Sequence, residues 1–249
     1  MVRHVKEAIE NSPGFWTGPL LSKEELADFK RIIFKQLIRR IKEVAPDHVD
    51  AFLEVGLEGY HTVSHLFDHA SAWPRSAREF DTGAIEFVEQ SELLQNLRQE
   101  FGGGEITNEA YGIGPEIVWR IVRPHEKTDV QSFHADSWFW DINNLPYPQN
   151  RNCVKIWILL QGTEKKSGLR VVPNSHLRRD WEYKIVDLHG YKKPLFDEYA
   201  AGLDPILLET TAGDGVIFSY NLLHGGALTT GEMSRISVEF TLSTPIVSL

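Results

Sequence analysis

Two kinds of sequence meet near residue 109, and that change limits the folds open to this chain. Before it, apolar residues recur at helical spacing. Ser22 and Glu25 make a capping-box pattern, after which Leu26, Phe29, Ile33, Leu37, Ile41 and Val44 predict an amphipathic helix ending before Pro46. A second helix is expected from about Ile85 to Phe101. Gly102-Gly103-Gly104 lacks the lysine and hydroxyl of a phosphate loop and reads as its terminator. From Glu109 onward the chain becomes short apolar runs separated by Gly, Pro and Asn. Examples are Ile117 to Val122, the run opened by Cys153, Gly215 to Phe218, and Arg235 to Thr241. The order predicts a mainly β single domain over 1–249. A mostly helical portion, 1–108, would pack on a double-stranded β-helix, a jelly roll, spanning 109–249. With 42% hydrophobic residues the chain can fill a substantial core.

The chemistry is carried by His134-Ala135-Asp136, then His224, then Arg235. Two histidines and one carboxylate on one face of an octahedron leave three positions open, the ligand set of non-haem Fe(II) oxygenases. An arginine just beyond the second histidine can hold a carboxylate bidentately. A second His-x-Asp, His48-Val49-Asp50, follows Pro46 and reads as a solvated polar turn. His134 instead follows a strand-like run and precedes Trp138-Phe139-Trp140. Residues i and i+2 share a face on extended backbone, so His134 and Asp136 are expected on a strand.

Ser167 to His176 reads as a strand leading into a turn, and Ala212 to Phe218 as a turn then a strand that delivers the chain to His224. In this order, and over about Trp119 to Thr241, the segments resemble the phytanoyl-CoA dioxygenase family of Fe(II)/2-oxoglutarate-dependent oxygenases. The resemblance implies a cupin-like jelly roll and an oxidoreductase using Fe(II), 2-oxoglutarate and O2. It implies iron ligation by His134, Asp136 and His224, and pairing of Arg235 with the distal carboxylate of 2-oxoglutarate. Trp157 falls where relatives place an aromatic beside that co-substrate, and Ser237 shares a strand face with Arg235. Gln131 and Arg120 are further candidates by position. Relatives often carry Ser or Thr two residues after the distal histidine; here that residue is Gly226. Halogenating relatives replace the carboxylate by a small residue, so Asp136 implies hydroxylation or a related oxidation, with 2-oxoglutarate converted to succinate and CO2.

The expected substrate is a small-molecule metabolite of a biosynthetic route. The alternatives are a protein side-chain hydroxylase and a non-catalytic metal-binding jelly roll. Trp138, Phe139 and Trp140, in the aromatic segment from Ser137 to Asn152, are expected either to pin a long loop as a satellite cluster or to form an aromatic lid over the iron that faces substrate, and both can hold together. Trp16, Tyr60, Phe67 and Trp73 are expected to close the other side. A net charge of −9 argues against nucleic-acid partners. Locally, Glu164 to Lys193 carries eight Lys or Arg against four acids. Such a stretch is usually a solvated face, but it can steer an anionic substrate. The single cysteine, Cys153, excludes an intrachain disulfide and reads as a core residue. No signal peptide or membrane span is evident, so cytoplasmic residence is expected. Composition carries no signal for oligomeric state. His61, His65 and His69 recur every four residues and read as surface or substrate-side groups rather than a second metal site. His176 reads as a structural turn residue and His125 as an exposed loop residue.

Overall fold

A computed structural model describes residues 2–108, 114–145, 150–163, 166–188, 191–198 and 201–246. The chain opens with α1 (Val2–Glu10), β1 (Phe15–Pro19), α2 (Lys23–Val44), α3 (Val49–Val55), α4 (Tyr60–Val63), α5 (His69–Ala72), α6 (Thr82–Gln90) and α7 (Glu92–Phe101). Then come β2 (Glu105–Thr107), β3 (Ile117–Val122), α8 (Ser137–Asn143), β4 (Arg151–Gln161) and β5 (Leu169–Val171). The remaining strands are β6 (Lys184–Leu188), β7 (Tyr191–Leu195), β8 (Ile206–Leu207), β9 (Asp214–Ser219), β10 (His224–Gly226) and β11 (Arg235–Pro245).

Helix α2 starts and stops where its spacing predicts. The Ser22 hydroxyl accepts from the Glu25 N–H, and the Glu25 carboxylate accepts from the Ser22 N–H. Phe29, Ile33, Leu37 and Ile41 are at most 1% exposed, each contributing roughly 1.5–3 kcal/mol by burial. The expected 85–101 helix is instead two helices. Ser91 is extended (φ −67°, ψ 155°), and its hydroxyl accepts from the Leu94 N–H, so it caps α7 rather than continuing α6. Gly102, at φ 70°, ends α7 in the left-handed conformation that favours glycine.

The larger sheet runs β1-β9-β4-β11-β2, with β3 also paired to β11. The strands of this sheet therefore come from both sides of residue 108. Its two faces are set by strand alternation. Val154, Ile156, Ile158 and Leu160 of β4, with Ile236, Val238, Phe240 and Leu242 of β11, join the helices in the main core. The opposite parity faces the barrel interior, where Trp157, Leu159, Val216 and Phe218 meet Leu169 and Val171 of the smaller sheet, β10-β5-β8. Burial on both faces explains why β4 and β11 read as nearly continuous apolar runs. Glu109 lies outside the described residues.

Tyr60 and Trp73 do not close over a substrate. They are 0% and 6% exposed in the main core, and Trp16 and Phe67 pack against that core. Their polar atoms explain the placement. The Trp73 indole N–H donates to the Tyr60 oxygen (2.7 Å), whose hydroxyl meets His69 Nδ1 (2.8 Å), and His69 Nε2 faces Asp129 (3.6 Å). Asp129 also accepts two guanidinium bonds from Arg123 (both 2.9 Å), bracing the loop before His134. Burial, only partly offset by Asp129, pushes His69 down to about 4 from an ordinary 6.5. The unfolded chain then binds a proton that the folded chain refuses. His69's contribution is therefore full above pH 6.5 and is lost as pH falls toward 4. A His69→Gln variant should show a shallower loss of denaturant stability between pH 7 and pH 5 than the unsubstituted protein. Identical slopes would show that His69 does not titrate this way.

Candidate metal centre

His134 and His224 are brought together by the backbone. They form an isolated antiparallel bridge, each N–H donating to the other's carbonyl at 3.0 Å. Asp136 arrives differently from the sequence expectation. The chain leaves extended geometry after His134, and Asp136 (φ −63°, ψ −32°) is the N-terminal cap of α8. The carboxylate therefore reaches the histidines from a helix start, not from the same face of one strand. Ligating atoms of all three residues lie within 4.8 Å of one another, and all three residues are buried.

The donor set fits a cation. The Ser132 carbonyl can only accept, so His134 Nδ1 donates to it (2.8 Å), and His224 Nδ1 likewise donates to the Leu222 carbonyl (3.1 Å). Both rings are thereby turned so that Nε2 carries the lone pair. Those nitrogens sit 3.5 and 3.8 Å from the Asp136 oxygens, beyond normal hydrogen bonds, and Asp136 Oδ2 has no hydrogen-bond partner among the described residues. Burial works to raise the Asp136 pKa, but Lys155 and the two imidazoles outweigh it and hold the group well below the usual carboxylate range. Burial pushes His224 down to about 4 against the opposing pull of Asp136. At neutral pH the centre presents one carboxylate and a His224 imidazole able to donate its lone pair, with His134 Nε2 turned toward the same carboxylate. Gly225 lets Phe133 approach, since a Cβ there would fall 2.8 Å from the Phe133 ring.

Arg235 begins β11 and is 2% exposed. Its Nη1 donates to the carbonyls of Gly168 (3.1 Å) and Ala227 (3.3 Å), while Nε has no partner and no described carboxylate pairs with it. Burial, aided by Arg120, lowers it to about 10, so it keeps its charge at pH 7. Trp157 places its ring centroid 6.0 Å from the guanidinium, and Ser237, fully buried on the same strand face, leaves its hydroxyl unpartnered. Gly226 lies alongside; a Cβ there would stand 3.4 Å from Arg235 Nη2. Gln131 Nε2 lies 3.4 Å from His134 Nε2. Arg120 is engaged within the chain, donating twice to Glu239 Oε1 at 2.9 and 2.6 Å.

The Gly168 carbonyl that orients Arg235 sits where no side chain fits, because a Cβ on Gly168 would lie 1.9 Å from the Leu208 carbonyl oxygen. Gly168→Ala is therefore expected to shift β5 against β8 and to weaken 2-oxoglutarate binding several-fold while iron still binds. Unchanged affinity for 2-oxoglutarate would show that this carbonyl does not set the guanidinium.

The aromatic segment divides. Phe139 stands edge-on to His134, ring centroids 5.1 Å apart. Trp138 stacks on Tyr183 at 4.2 Å, and Trp140 is buried with Cys153 and Tyr220. Both tryptophans thus anchor α8, while Phe139 stacks edge-on against a metal-centre residue. Pro146, Tyr147 and Pro148 lie outside the described residues. His61 and His65 join no described metal cluster, whereas His176 is buried beside Gly14. His48 ends a short 3-10 turn, and His125 is exposed. Lys155 and Glu239 were passed over in the sequence. Both point into the barrel interior by strand parity, and a lysine two residues before Trp157 in an apolar strand was the available signal.

A jelly roll holding two histidines, one carboxylate and a buried unpaired arginine defines the class of non-haem iron oxygenases that use a 2-oxo acid. The family model for phytanoyl-CoA dioxygenase matches residues 22–237, and the chain belongs to that family. It is accordingly an oxidoreductase whose cofactors are Fe(II) and 2-oxoglutarate. Among solved structures, AviO1 from Streptomyces viridochromogenes is similar at TM-score 0.59 and 16% identity, over 98% of this chain and 97% of that one. The non-haem α-ketoglutarate-dependent carbocyclase SnoK from nogalamycin biosynthesis is similar at TM-score 0.60 and 14% identity, covering 98% and 84%. EctD from S. alaskensis, solved with 2-oxoglutarate and 5-hydroxyectoine, is similar at TM-score 0.59 and 13% identity, covering 98% and 76%. No curated protein matches by sequence. No helix among the described residues is long and apolar enough to cross a membrane.

Proposed function

We propose that this protein hydroxylates, or otherwise oxidises, a small-molecule metabolite, with 2-oxoglutarate converted to succinate and CO2. The observation that carries the reading is the buried Arg235 guanidinium without a carboxylate partner, in the same barrel interior as the His134–Asp136–His224 cluster. In this reading His134, Asp136 and His224 hold iron(II), and iron with 2-oxoglutarate and O2 supplies the oxidising power. Arg235 receives the distal carboxylate, Ser237 offers it a hydroxyl, and Trp157 walls the co-substrate. Gln131 lies within reach of the His134 side of the centre. Phe139 limits water and borders substrate, while Trp138 and Trp140 hold the helix that carries it. SnoK and EctD, named above for small-molecule chemistry, are consistent with a metabolite substrate.

The test is to mix anaerobic protein with Fe(II) and 2-oxoglutarate and record the visible charge-transfer band of the chelate. The band is expected in the unsubstituted protein and lost in Asp136→Ala. Its absence despite bound iron would remove Arg235 from a co-substrate role and with it the oxygenase reading.

A further inference from the structure

A second set of cations surrounds the end of the barrel interior where Arg120 reaches solvent. Arg120 points inward from β3, yet its side chain is 23% exposed. Beside it the chain brings Arg75 and Arg78 from the 3-10 turn Arg75–Arg78, whose next residue, Glu79, bridges to Val118 of β3. Two of these arginines are matched: Arg75 forks onto both oxygens of Glu116 (2.9 and 2.7 Å), and Arg120 donates twice to Glu239 Oε1. Arg78 is not. Its Nε donates to the Trp73 carbonyl and its Nη1 to the Trp119 carbonyl, both at 3.1 Å, and no described carboxylate forms an ion pair with it. Burial, with Arg120 next, brings Arg78 down to about 9, which leaves it charged at neutral pH. A desolvated guanidinium with a donor to spare calls for a counter-charge.

Lys193 completes the set from hairpin β6–β7. The hairpin is held to α8 by Asn143, which donates to the Lys192 carbonyl (2.9 Å) and accepts from the Lys192 N–H (3.0 Å). Lys193 makes no described ion pair, and partial burial first, then the charges of Arg120, Arg75 and Arg78, hold its ammonium below the ordinary lysine range. Four cations here (Arg75, Arg78, Arg120, Lys193) face three acids (Glu79, Glu116, Glu239). The cluster is electrically continuous with the metal centre, since Glu239 interacts with Arg120, Lys155 and Asp136.

We infer that the substrate carries an anionic group, a carboxylate or a phosphoryl group, received by Arg78 with Lys193 closing over it from the hairpin. This rests on the oxygenase reading above and adds the substrate's charge to it. Arg235, by contrast, serves the co-substrate from the start of β11. A basic hairpin tied to the helix that follows Asp136 gives the local Lys and Arg excess of the 164–193 stretch a use beyond solvation.

The experiment loads the protein anaerobically with Fe(II) and saturating 2-oxoglutarate, then titrates inorganic phosphate and, separately, acetate by calorimetry. The visible band is recorded in parallel. One saturable anion per chain is expected. Affinity should fall about tenfold in Arg78→Gln and a few-fold in Lys193→Gln, stay within about twofold in Arg75→Gln, and leave the band intact in all three. Tighter phosphate would assign a phosphoryl group; tighter acetate would assign a carboxylate. Absence of saturable binding, or equal affinity in Arg78→Gln and Lys193→Gln, would overturn the inference while an intact band left the oxygenase reading standing. Loss of the anion on raising 2-oxoglutarate further would place it in the Arg235 pocket and also overturn the inference. As a readout independent of these probes, succinate release is followed across a metabolite panel. A neutral metabolite turned over with the same KM in Arg78→Gln would refute the assignment even if phosphate binds.

Discussion

Asp136→Ala is expected to lower iron(II) affinity by more than about a hundredfold and to abolish turnover. Losing only an outer partner of a metal ligand typically costs about 10–100-fold, and Asp136 is itself the anionic ligand. It is the only carboxylate in the cluster, beside two imidazoles. Without it, Lys155 would lose one of its carboxylate neighbours, and its positive charge would weigh more heavily against the ion. Equilibrium dialysis with Fe(II) under anaerobic conditions measures the affinity, and succinate release measures the turnover. Stoichiometric iron with full turnover in this variant would eliminate the ligand set. His134→Ala serves as a companion, because it removes a ligand without disturbing the start of α8.

Arg235→Ala is expected to raise KM for 2-oxoglutarate about 10- to 100-fold, with a smaller effect on kcat. A charge-assisted bidentate contact is worth roughly 1.5–3 kcal/mol, which corresponds to that range. The contact is made in ground state and transition state alike, so its loss should appear in binding first. Arg235→Lys should recover part of the affinity, since the charge returns without the planar fork. An unchanged KM in Arg235→Ala would mean that another cation holds the carboxylate. Arg120 is poorly placed for that role while it carries Glu239.

Much of this architecture was legible as pattern. The capping box at Ser22, the helical spacing to Val44, the stop at Gly102 and the strands around Trp119, Phe218 and Arg235 all depend on local rules. Those rules act within a few residues, so the sequence displays them directly. The reading failed where a local choice competed with a longer pattern. Ser91 sits inside an apolar helical register, but its hydroxyl caps the next turn, and the single expected helix becomes two. Asp136 follows a strand-like approach, but α8 begins on it. Tyr60 and Trp73 resemble the other aromatics in composition. Only the distant His69 and Asp129 explain why they are buried as a hydrogen-bonded set.

The sequence by itself determined the types and order of the chemical groups: the His-x-Asp pair, the later histidine, the arginine after it, and the alternation that sends side chains to one face or the other. These follow from covalent order and from backbone periods that are the same in every chain. The tertiary structure decided which charges remain without partners. Arg120 and Arg75 find carboxylates, whereas among the described residues Arg78 and Arg235 find only backbone carbonyls. That difference comes from contacts between segments dozens of residues apart, and the cost of burying a charge depends on those contacts rather than on the residue's neighbours in sequence.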